Sequence, residues 1–585
     1  MKGQKFFGMI LACLFLLPSI TLAQMTASVA GTVESTSGTV IPGSAGPQDV
    51  SALGAWNMEF VGAAHYNGEV DTEHFSKLAP WPATHDQYLY SGCQGDSYCF
   101  VTVSIKDPKN PVRLATVNLF DPETSPRPPL GHPAWHSAAL ATLPPKAPCD
   151  TFKDPAVVAG TKPPTCWDPG WNTHTHYVQE GPGEILAVNE ERRVFRGSTG
   201  MGTDTQANYH GVRFYDISDP AHPVFLSVWE APVSDPVNGH YPDARGVHHF
   251  NFRNQGEPGY LANLNNRYLF VGTEYKGYVG DILVILDVRD PKHPVEVGQW
   301  HIPGQKTPEE DAQRNWVQQD DFSRPIRKDP QTGKLTKYVG LHYPAVYGDT
   351  AYLSYFQAGL IILDVKDVKH PQLLSRLDYL VPGFDDPTMP EAMKKFDLDK
   401  SAYGNTHSAK LVPGHPNLLW LTDEYFTCPY GHLRMVDVAD PKKPRIISHF
   451  LYPENTACNL NEPEKTPRPA RFPLVGPSTH IGNVGTDGLL YIAWYGMCVR
   501  VIDIRDPLHI AEVGHYTYEV DSSKPALAGC HTYDVIFGPG GLLYASDARA
   551  GLRVLRFTGA THGAESRPIK DPKDPAPAIK AASKF

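Results

Sequence analysis

Histidines recur in this sequence with an apolar residue four positions further on. The pattern occurs at His74, His174, His248, His342, His407, His480 and His531. His176 and His249 lie close to members of this set. Neutral imidazole is a good ligand for copper, zinc and iron, so these side chains would form a transition-metal site if the fold brought them together. The candidate metal ligands are His174, His176, His248, His249, His342, His407, His480 and His531.

A repeated phrase indicates which elements must position these histidines. It consists of an alternating apolar segment that leads into an Asp-Pro turn, or Asp-Val in one copy. Six copies begin at Phe100, Val212, Leu283, Leu360, Leu433 and Val499, and a shortened seventh begins at Leu552. Period-2 alternation rich in Val and Ile is typical of strands, and Asp-Pro favours a turn and excludes helix. Each copy therefore predicts a β-hairpin.

Two further strand-like segments precede each hairpin, as at 346–355 and 484–494. Four short antiparallel strands repeated seven times predict an all-β fold, a seven-bladed β-propeller. The last copy lacks its fourth strand. Residues 58–66 resemble the fourth-strand segment at 511–518, so a strand near the amino terminus is predicted to complete the last blade and close the ring.

The recurring phrase, which reads Leu283-Val-Ile-Leu-Asp-Val in one of its clearest copies, resembles the LVIVD repeat of bacterial extracytoplasmic β-propellers. The resemblance runs from about residue 56 to residue 558. It implies the propeller fold and a location outside the cytoplasm. It implies no particular activity, because one fold hosts many functions.

The predicted fold places the histidines together. The first strand of a blade lines the central channel, and each His stands at the entry to that strand, so the histidines are expected to ring one mouth of the channel. The connections between second and third strands open on the same face. They contribute the candidate catalytic residues Glu274, Asp423, Glu424 and Arg549.

Long insertions precede most of these histidines, at roughly 114–173, 231–247, 302–341, 381–406 and 453–479. Loops of this length in a compact fold are usually functional or disordered. We expect them to form a lid over the histidine face, where they would exclude water or select a substrate. The alternative is that surface loops simply tolerate growth.

Two functions remain open at this stage. In the first, the histidines bind a transition metal, with copper preferred and iron or zinc possible. The protein then oxidises or reduces a small molecule, and Glu274 accepts and donates protons. In the second, each His caps its blade through a backbone hydrogen bond. The protein would then be a non-catalytic scaffold that recognises a polypeptide or glycan.

Composition and the first residues bear on location and partners. Lys2 and Lys5 precede an apolar run from Phe6 to Leu17, and small residues precede Gln24, which predicts a secretory signal peptide cleaved near Ala23. No later stretch is long and apolar enough to predict a membrane span. The 63 acidic and 52 basic residues give a net charge of -11, which argues against nucleic acid as a partner. A periplasmic or secreted protein with a small-molecule substrate or extracellular ligand is expected.

The predicted organisation is a signal peptide at 1–23, an extension at 24–55, the propeller at 56–558 and a flexible tail at 559–585. Eight cysteines follow the signal peptide, and an even number in an oxidising compartment favours disulfides. Proximity along the chain favours Cys93 with Cys99 and Cys149 with Cys166. The remaining pairs would be Cys428 with Cys458 and Cys498 with Cys530.

Overall fold

Seven antiparallel sheets are the repeating unit of the fold, and together they form the predicted seven-bladed β-propeller. The computed structural model describes residues 55–64, 75–78, 87–94, 99–119, 177–191, 211–232, 246–257, 259–278, 280–302, 305–306, 327–328, 335–336, 340–356, 358–377, 405–425, 430–456, 476–517, 530–547 and 551–559. These residues belong to the compact unit that begins at Val40. Within them, nearly all regular structure is β-sheet.

The blades follow one another along the chain, and in blades 1 to 5 the strands lie side by side in sequence order. Blade 1 consists of β3 (Phe75–Leu78), β4 (Tyr88–Gln94), β5 (Cys99–Ser104) and β6 (Val112–Asn118), and blade 2 of β7 (Val178–Gly181), β8 (Ile185–Asn189), β9 (Gly211–Asp216) and β10 (Val224–Glu230). Blade 3 consists of β11 (Val247–Phe252), β12 (Tyr268–Thr273), β13 (Ile282–Asp287) and β14 (Val295–Trp300), and blade 4 of β17 (Tyr343–Tyr347), β18 (Thr350–Ser354), β19 (Leu360–Asp364) and β20 (Gln372–Leu377).

Blades 5 to 7 continue the series, and blade 7 supplies three strands of its own. Blade 5 consists of β21 (Thr406–Val412), β22 (His415–Asp423), β23 (Leu433–Asp437) and β24 (Arg445–Phe450), and blade 6 of β25 (Gly482–Val484), β26 (Leu489–Ala493), β27 (Val499–Asp503) and β28 (Ala511–Tyr516). The strands that blade 7 itself supplies are β29 (Thr532–Phe537), β30 (Leu542–Asp547) and β31 (Gly551–Phe557). A separate two-stranded hairpin pairs β15 (Arg327–Lys328) with β16 (Leu335–Thr336).

Helical structure is sparse in the described part of the chain. It consists of one α-helical turn, α1 (Pro453–Thr456), and short 3-10 turns at Tyr260–Ala262, Leu264–Asn266 and Pro539–Gly541. Among the described residues, we find no helix with the length and apolar character needed to span a bilayer.

The amino-terminal strand closes the ring as predicted. β2 (Met58–Ala64) pairs antiparallel with β31 and becomes the fourth strand of blade 7. A second strand, β1 (Ala55–Trp56), pairs with β28 and gives blade 6 a fifth strand, which the sequence did not indicate. The same short segment therefore joins blade 6 to blade 7.

The hydrophobic core lies between the faces of neighbouring blades. Between blades 3 and 4, for example, Leu283 and Ile285 pack with Leu353 and Ile361 in one buried cluster. Because each blade is covered on both faces, the third strands of blades 2 to 6 are buried at almost every position. β13 is accordingly buried along its length up to Asp287.

Each fourth strand contains a β-bulge followed by a small residue. These small residues are Ala115, Ser227, Gly298, Ser375, Ser448, Gly514 and, in β2, Gly62. Where the residue is Ser, its hydroxyl donates to a carbonyl in the Asp-Pro turn of the next blade, as from Ser227 to Pro291 at 2.6 Å. At Gly62 even a Cβ atom would lie 2.3 Å from the Pro108 carbonyl oxygen. The small residue that follows each bulge therefore determines how closely neighbouring blades approach each other.

This contact predicts that Gly62→Val destabilises the ring seam between blades 7 and 1. A β-branched side chain cannot fit against a backbone carbonyl, and overpacking typically costs about 1 to 3 kcal/mol. We expect a loss of about 3 kcal/mol in the free energy of urea-induced unfolding. Glu59→Val is the matched control, because Glu59 is exposed on the same strand. Equal stability of the two variants would contradict a closing role for β2.

Candidate metal centre

Four histidines from consecutive blades occupy the entries to their first strands. In blades 3 and 5, His248 and His407 are the extra residues of β-bulges that interrupt pairing with the second strand. In blades 4 and 6, His342 and His480 lie one and two residues before the first strand and donate their backbone N–H groups to the carbonyl oxygens of Ser354 and Ala493. A bulge redirects a side chain out of the regular alternation of a strand. The repeat thus delivers one imidazole per blade to the same mouth of the channel.

The four rings form a continuous row. The ring centroids of His248 and His342 are 4.6 Å apart, those of His342 and His407 3.8 Å, and those of His407 and His480 4.3 Å. His249 adds a fifth ring, 4.5 Å from His248 and 4.4 Å from His342. We call these five residues together with Glu424 the mouth cluster.

Hydrogen bonds at Nδ1 determine which nitrogen of each ring faces the cluster. Nδ1 of His342 contacts the carbonyl oxygen of His407 at 2.7 Å, and Nδ1 of His480 contacts the carbonyl oxygen of Tyr533. A carbonyl only accepts, so Nδ1 carries the proton in both residues. In the neutral imidazole, Nε2 then carries a lone pair. This is the form in which histidine binds a metal ion.

His248 has the same tautomer for a different reason. Its Nδ1 lies 2.8 Å from both carboxylate oxygens of Glu191, which is 2% exposed. A carboxylate that accepts from the outer nitrogen of a metal-binding histidine is a common way to fix ring orientation and raise ligand basicity.

The contact between His248 and His342 tests whether an ion fits. Their Nε2 atoms are 2.8 Å apart. With Nδ1 protonated in both neutral rings, two lone pairs would face each other, an arrangement that needs a proton or a cation between them. Two ligands of a single ion with bonds of about 2.0 to 2.1 Å can have this separation. The donor set is therefore compatible with a transition metal.

Glu424 approaches the row from the connection after β22. Its Oε1 lies 3.8 Å from Nε2 of His407 and 4.0 Å from Nε2 of His480, and it accepts a hydrogen bond from the Tyr495 hydroxyl. In the part of the chain that the structure describes, two groups have ligand atoms within 4.8 Å of one another, namely His248, His249 and His342, and His342, His407 and Glu424. The mouth cluster thus contains two overlapping sets of three ligands.

Burial differs across the cluster. His249, His342, His407 and His480 are buried, whereas the side chains of His248 and Glu424 are each 17% exposed. Deeper along β11, Asn251 accepts hydrogen bonds from Gln179, Tyr177 and Tyr343. His248 and Glu424 are therefore the members of the cluster that are most exposed to solvent.

Two other candidate catalytic residues, Asp423 and Glu274, belong to neither of these ligand groups. The Asp423 carboxylate forms a buried ion pair with Arg434, and its backbone carbonyl accepts from the Thr479 hydroxyl. It therefore anchors the segment that carries Glu424. Glu274 is half-buried after β12, and its backbone N–H donates to the Gly246 carbonyl, two residues before His248.

His531 is displaced from the row, although its sequence spacing matches the others. In blade 7 the residue at the bulge is Tyr533, which occupies the position of His248 and His407. The His531 ring stacks on Tyr533 at 4.7 Å and lies 5.3 Å from the Tyr495 ring. The spacing to Val535 therefore does not reproduce the register of the other blades.

Several predictions fall outside the described residues. They concern His74, His174, His176 and Arg549, the signal peptide, the carboxyl-terminal tail and most of each insertion. The predicted disulfide between Cys498 and Cys530 is present, with Cα atoms 5.2 Å apart, and it links blade 6 to the segment carrying His531. The side chains of the other six cysteines lie outside the described part.

Sequence reasoning missed Glu191, which contacts His248. It lies six residues after Ile185, the second-strand residue of blade 2 that pairs with the Asp at the end of the third strand. The residues at the same position in blades 3 to 6 are Glu274, Phe356, Glu424 and Tyr495. Glu191, Phe356 and Tyr495 each form an isolated bridge with the first strand of the next blade or the residue preceding it. Aligning the ends of the second strands, rather than the starts of the first, would have revealed this residue.

Comparisons with known proteins agree with the repeat. The model of the LVIVD repeat family matches residues 274–301 and 345–378. The chain is thus a seven-bladed β-propeller that carries LVIVD repeats. No curated protein matches the sequence.

Solved structures resemble the chain only weakly. A protein from Lactobacillus plantarum is 12% identical with a TM-score of 0.32, and the match covers 63% of this chain and 68% of that one. Sqt1 of Saccharomyces cerevisiae is 8% identical with a TM-score of 0.38, covering 85% and 88%. A streptogramin B lyase is 8% identical with a TM-score of 0.39, covering 86% and 98%. Similarity this low carries no inference about what the chain does.

Proposed function

We propose that this protein is a periplasmic or secreted metalloprotein whose mouth cluster binds a transition metal and supports redox chemistry on a small molecule. The contact between the Nε2 atoms of His248 and His342 at 2.8 Å carries the proposal. Copper is the preferred ion, because an imidazole-rich site suits copper(II), which stands high in the affinity order of divalent metals.

The surrounding groups support this function. Glu191 fixes the tautomer of His248, and the buried rings of His249 and His342 keep water away from one side of the ion. Glu424 is a partly exposed carboxylate at the edge of the cluster, where it would accept or deliver a proton as the small molecule reacts. Glu274, on the equivalent connection of blade 3, would serve the same purpose.

A second candidate function is a metal-free binding scaffold. One observation favours it: Nδ1 of His342 bonds to blade 5 and Nδ1 of His480 bonds to blade 7, so both side chains also join neighbouring blades. Histidines retained only for these links would need no ion.

Metal analysis separates the two functions. Protein purified without chelator and without a metal affinity column is expected to contain at least about one equivalent of copper, iron or zinc by mass spectrometry. After chelation and reconstitution with Cu²⁺, electron paramagnetic resonance should show nitrogen ligands, and ascorbate should abolish the signal. A protein that is metal-free and binds no Cu²⁺ or Zn²⁺ would establish the scaffold instead. Binding of zinc but not of copper would contradict the proposed redox chemistry and leave the proposed metal site standing.

A further inference from the structure

We infer that the mouth cluster is a two-ion site, with a first subsite formed by His248, His249 and His342 and a second formed by His407, His480 and Glu424. The inference rests on the proposed function, because it concerns how many ions the same cluster holds and through which ligands. It divides the cluster into an all-imidazole half and a half that includes a carboxylate.

The number of donors supports two ions. A structural zinc site takes four protein ligands, and a catalytic one takes about three with one open position. The mouth cluster offers five imidazoles and a carboxylate, which exceeds what one such ion uses. Six donors divide naturally into two sets of three, each with room for a further ligand from a small molecule.

The length of the row supports the same division. The rings of His248, His342, His407 and His480 follow one another at centroid spacings of 4.6, 3.8 and 4.3 Å, one from each of four blades. Among the described residues, the groups whose ligand atoms lie within 4.8 Å of one another are His248, His249 and His342, and His342, His407 and Glu424, so His342 lies between the two subsites. A single ion with bonds of about 2 Å cannot contact both ends of such a row.

Each half also has its own supporting contacts. Glu191 holds His248 in the first subsite. In the second, Glu424 Oε1 lies 3.8 Å from Nε2 of His407 and 4.0 Å from Nε2 of His480, distances that shorten when the partly exposed carboxylate turns toward an ion. The Tyr495 hydroxyl donates to this oxygen and positions it. The hydrogen bond that Nδ1 of His342 donates to the backbone carbonyl of His407 joins the halves.

The halves differ in chemistry. The first subsite offers three nitrogens and is largely buried, which suits an ion that stays bound. The second offers two nitrogens and an oxygen, and Glu424 lies at its solvent side. A mixed N and O site at the opening is where a small polar substrate would meet an ion. A small molecule with an oxygen, nitrogen or sulfur donor could then bridge the two.

The test is a titration of the metal-free, full-length protein with Zn²⁺, followed by calorimetry and by mass spectrometry after dialysis. The wild-type protein should bind two equivalents. His248→Ala should lose one of them, and Glu424→Gln, which keeps the acceptor for Tyr495, should weaken the other by at least about 10-fold. His370→Ala is the matched control, because His370 is an exposed turn residue bonded to Asp367 and should leave both equivalents intact.

The outcomes separate the two proposals. One equivalent in the wild-type protein, or loss of the same single equivalent in both variants, would overturn the two-ion site and leave the metalloprotein proposal standing. No binding by the wild-type protein would overturn both. Circular dichroism of each variant establishes that it is folded before its stoichiometry is compared.

Discussion

Replacing His342 with alanine is expected to weaken zinc binding at the first subsite by more than about 100-fold. Loss of an outer partner of a metal ligand typically costs 10- to 100-fold in affinity, and His342 would be a direct ligand. It is also the residue common to both ligand groups, with its Nε2 2.8 Å from that of His248. Competition with a chromophoric chelator measures the affinity.

Two comparisons make this result specific. Glu191→Gln changes only the partner of His248 Nδ1, so its effect should be smaller, about 10-fold. His370→Ala, on an exposed turn, should have no effect. If His342→Ala bound zinc as tightly as the wild-type protein, the row of histidines would serve only to join blades.

The second large effect is expected at the buried ion pair between Arg434 and Asp423, whose side chains are 1% and 0% exposed. Arg434→Met would leave the Asp423 carboxylate charged and buried, which typically costs about 3 to 5 kcal/mol. Burial, and after it the nearby Arg434 cation, hold the pKa of His432 well below its usual range in the wild-type protein. Urea-induced unfolding measures the loss.

The chain offers a matched control for this substitution. Arg556 pairs with Glu59, and their side chains are 51% and 46% exposed, so Arg556→Met should cost less than about 1 kcal/mol. Adding Asp423→Leu to Arg434→Met should recover part of the stability, since it removes the uncompensated charge. If Arg434→Met and Arg556→Met were equally stable, the buried pair would contribute nothing beyond a surface pair.

The fold was largely predictable because its signal is repeated. The alternating phrase at Leu283 and its copies identified the third strands, and the resemblance of residues 58–66 to residues 511–518 identified β2. β1 could not be predicted in this way. It is only two residues long, Ala55–Trp56, and its pairing depends on where the closed ring places the edge of blade 6.

The place of the candidate site in the fold could be predicted from the sequence, but the residues that form it could not. Spacing placed His531 with the other histidines, yet pairing between β29 and β30 puts Tyr533 at the shared position. A bulge shifts register by one residue without leaving a clear mark in the sequence. Glu191 contacts a histidine 57 residues away, and this contact depends on the packing of blade 2 against blade 3.

Ring closure has a consequence for the order of folding. The contacts of β1, β2 and their connection join residues separated by 456 and 497 positions, as between Asn57 and Val513 and between Glu59 and Arg556. Contacts this distant along the chain form slowly, because a long loop must first be closed. The mouth cluster draws its histidines from the adjacent blades 3 to 6, and the closing segment reaches only the outer strand, β28, of the last of these. An open arc of blades can therefore assemble the cluster before the two ends of the chain meet, and a defect in the seam would spare the metal ligands.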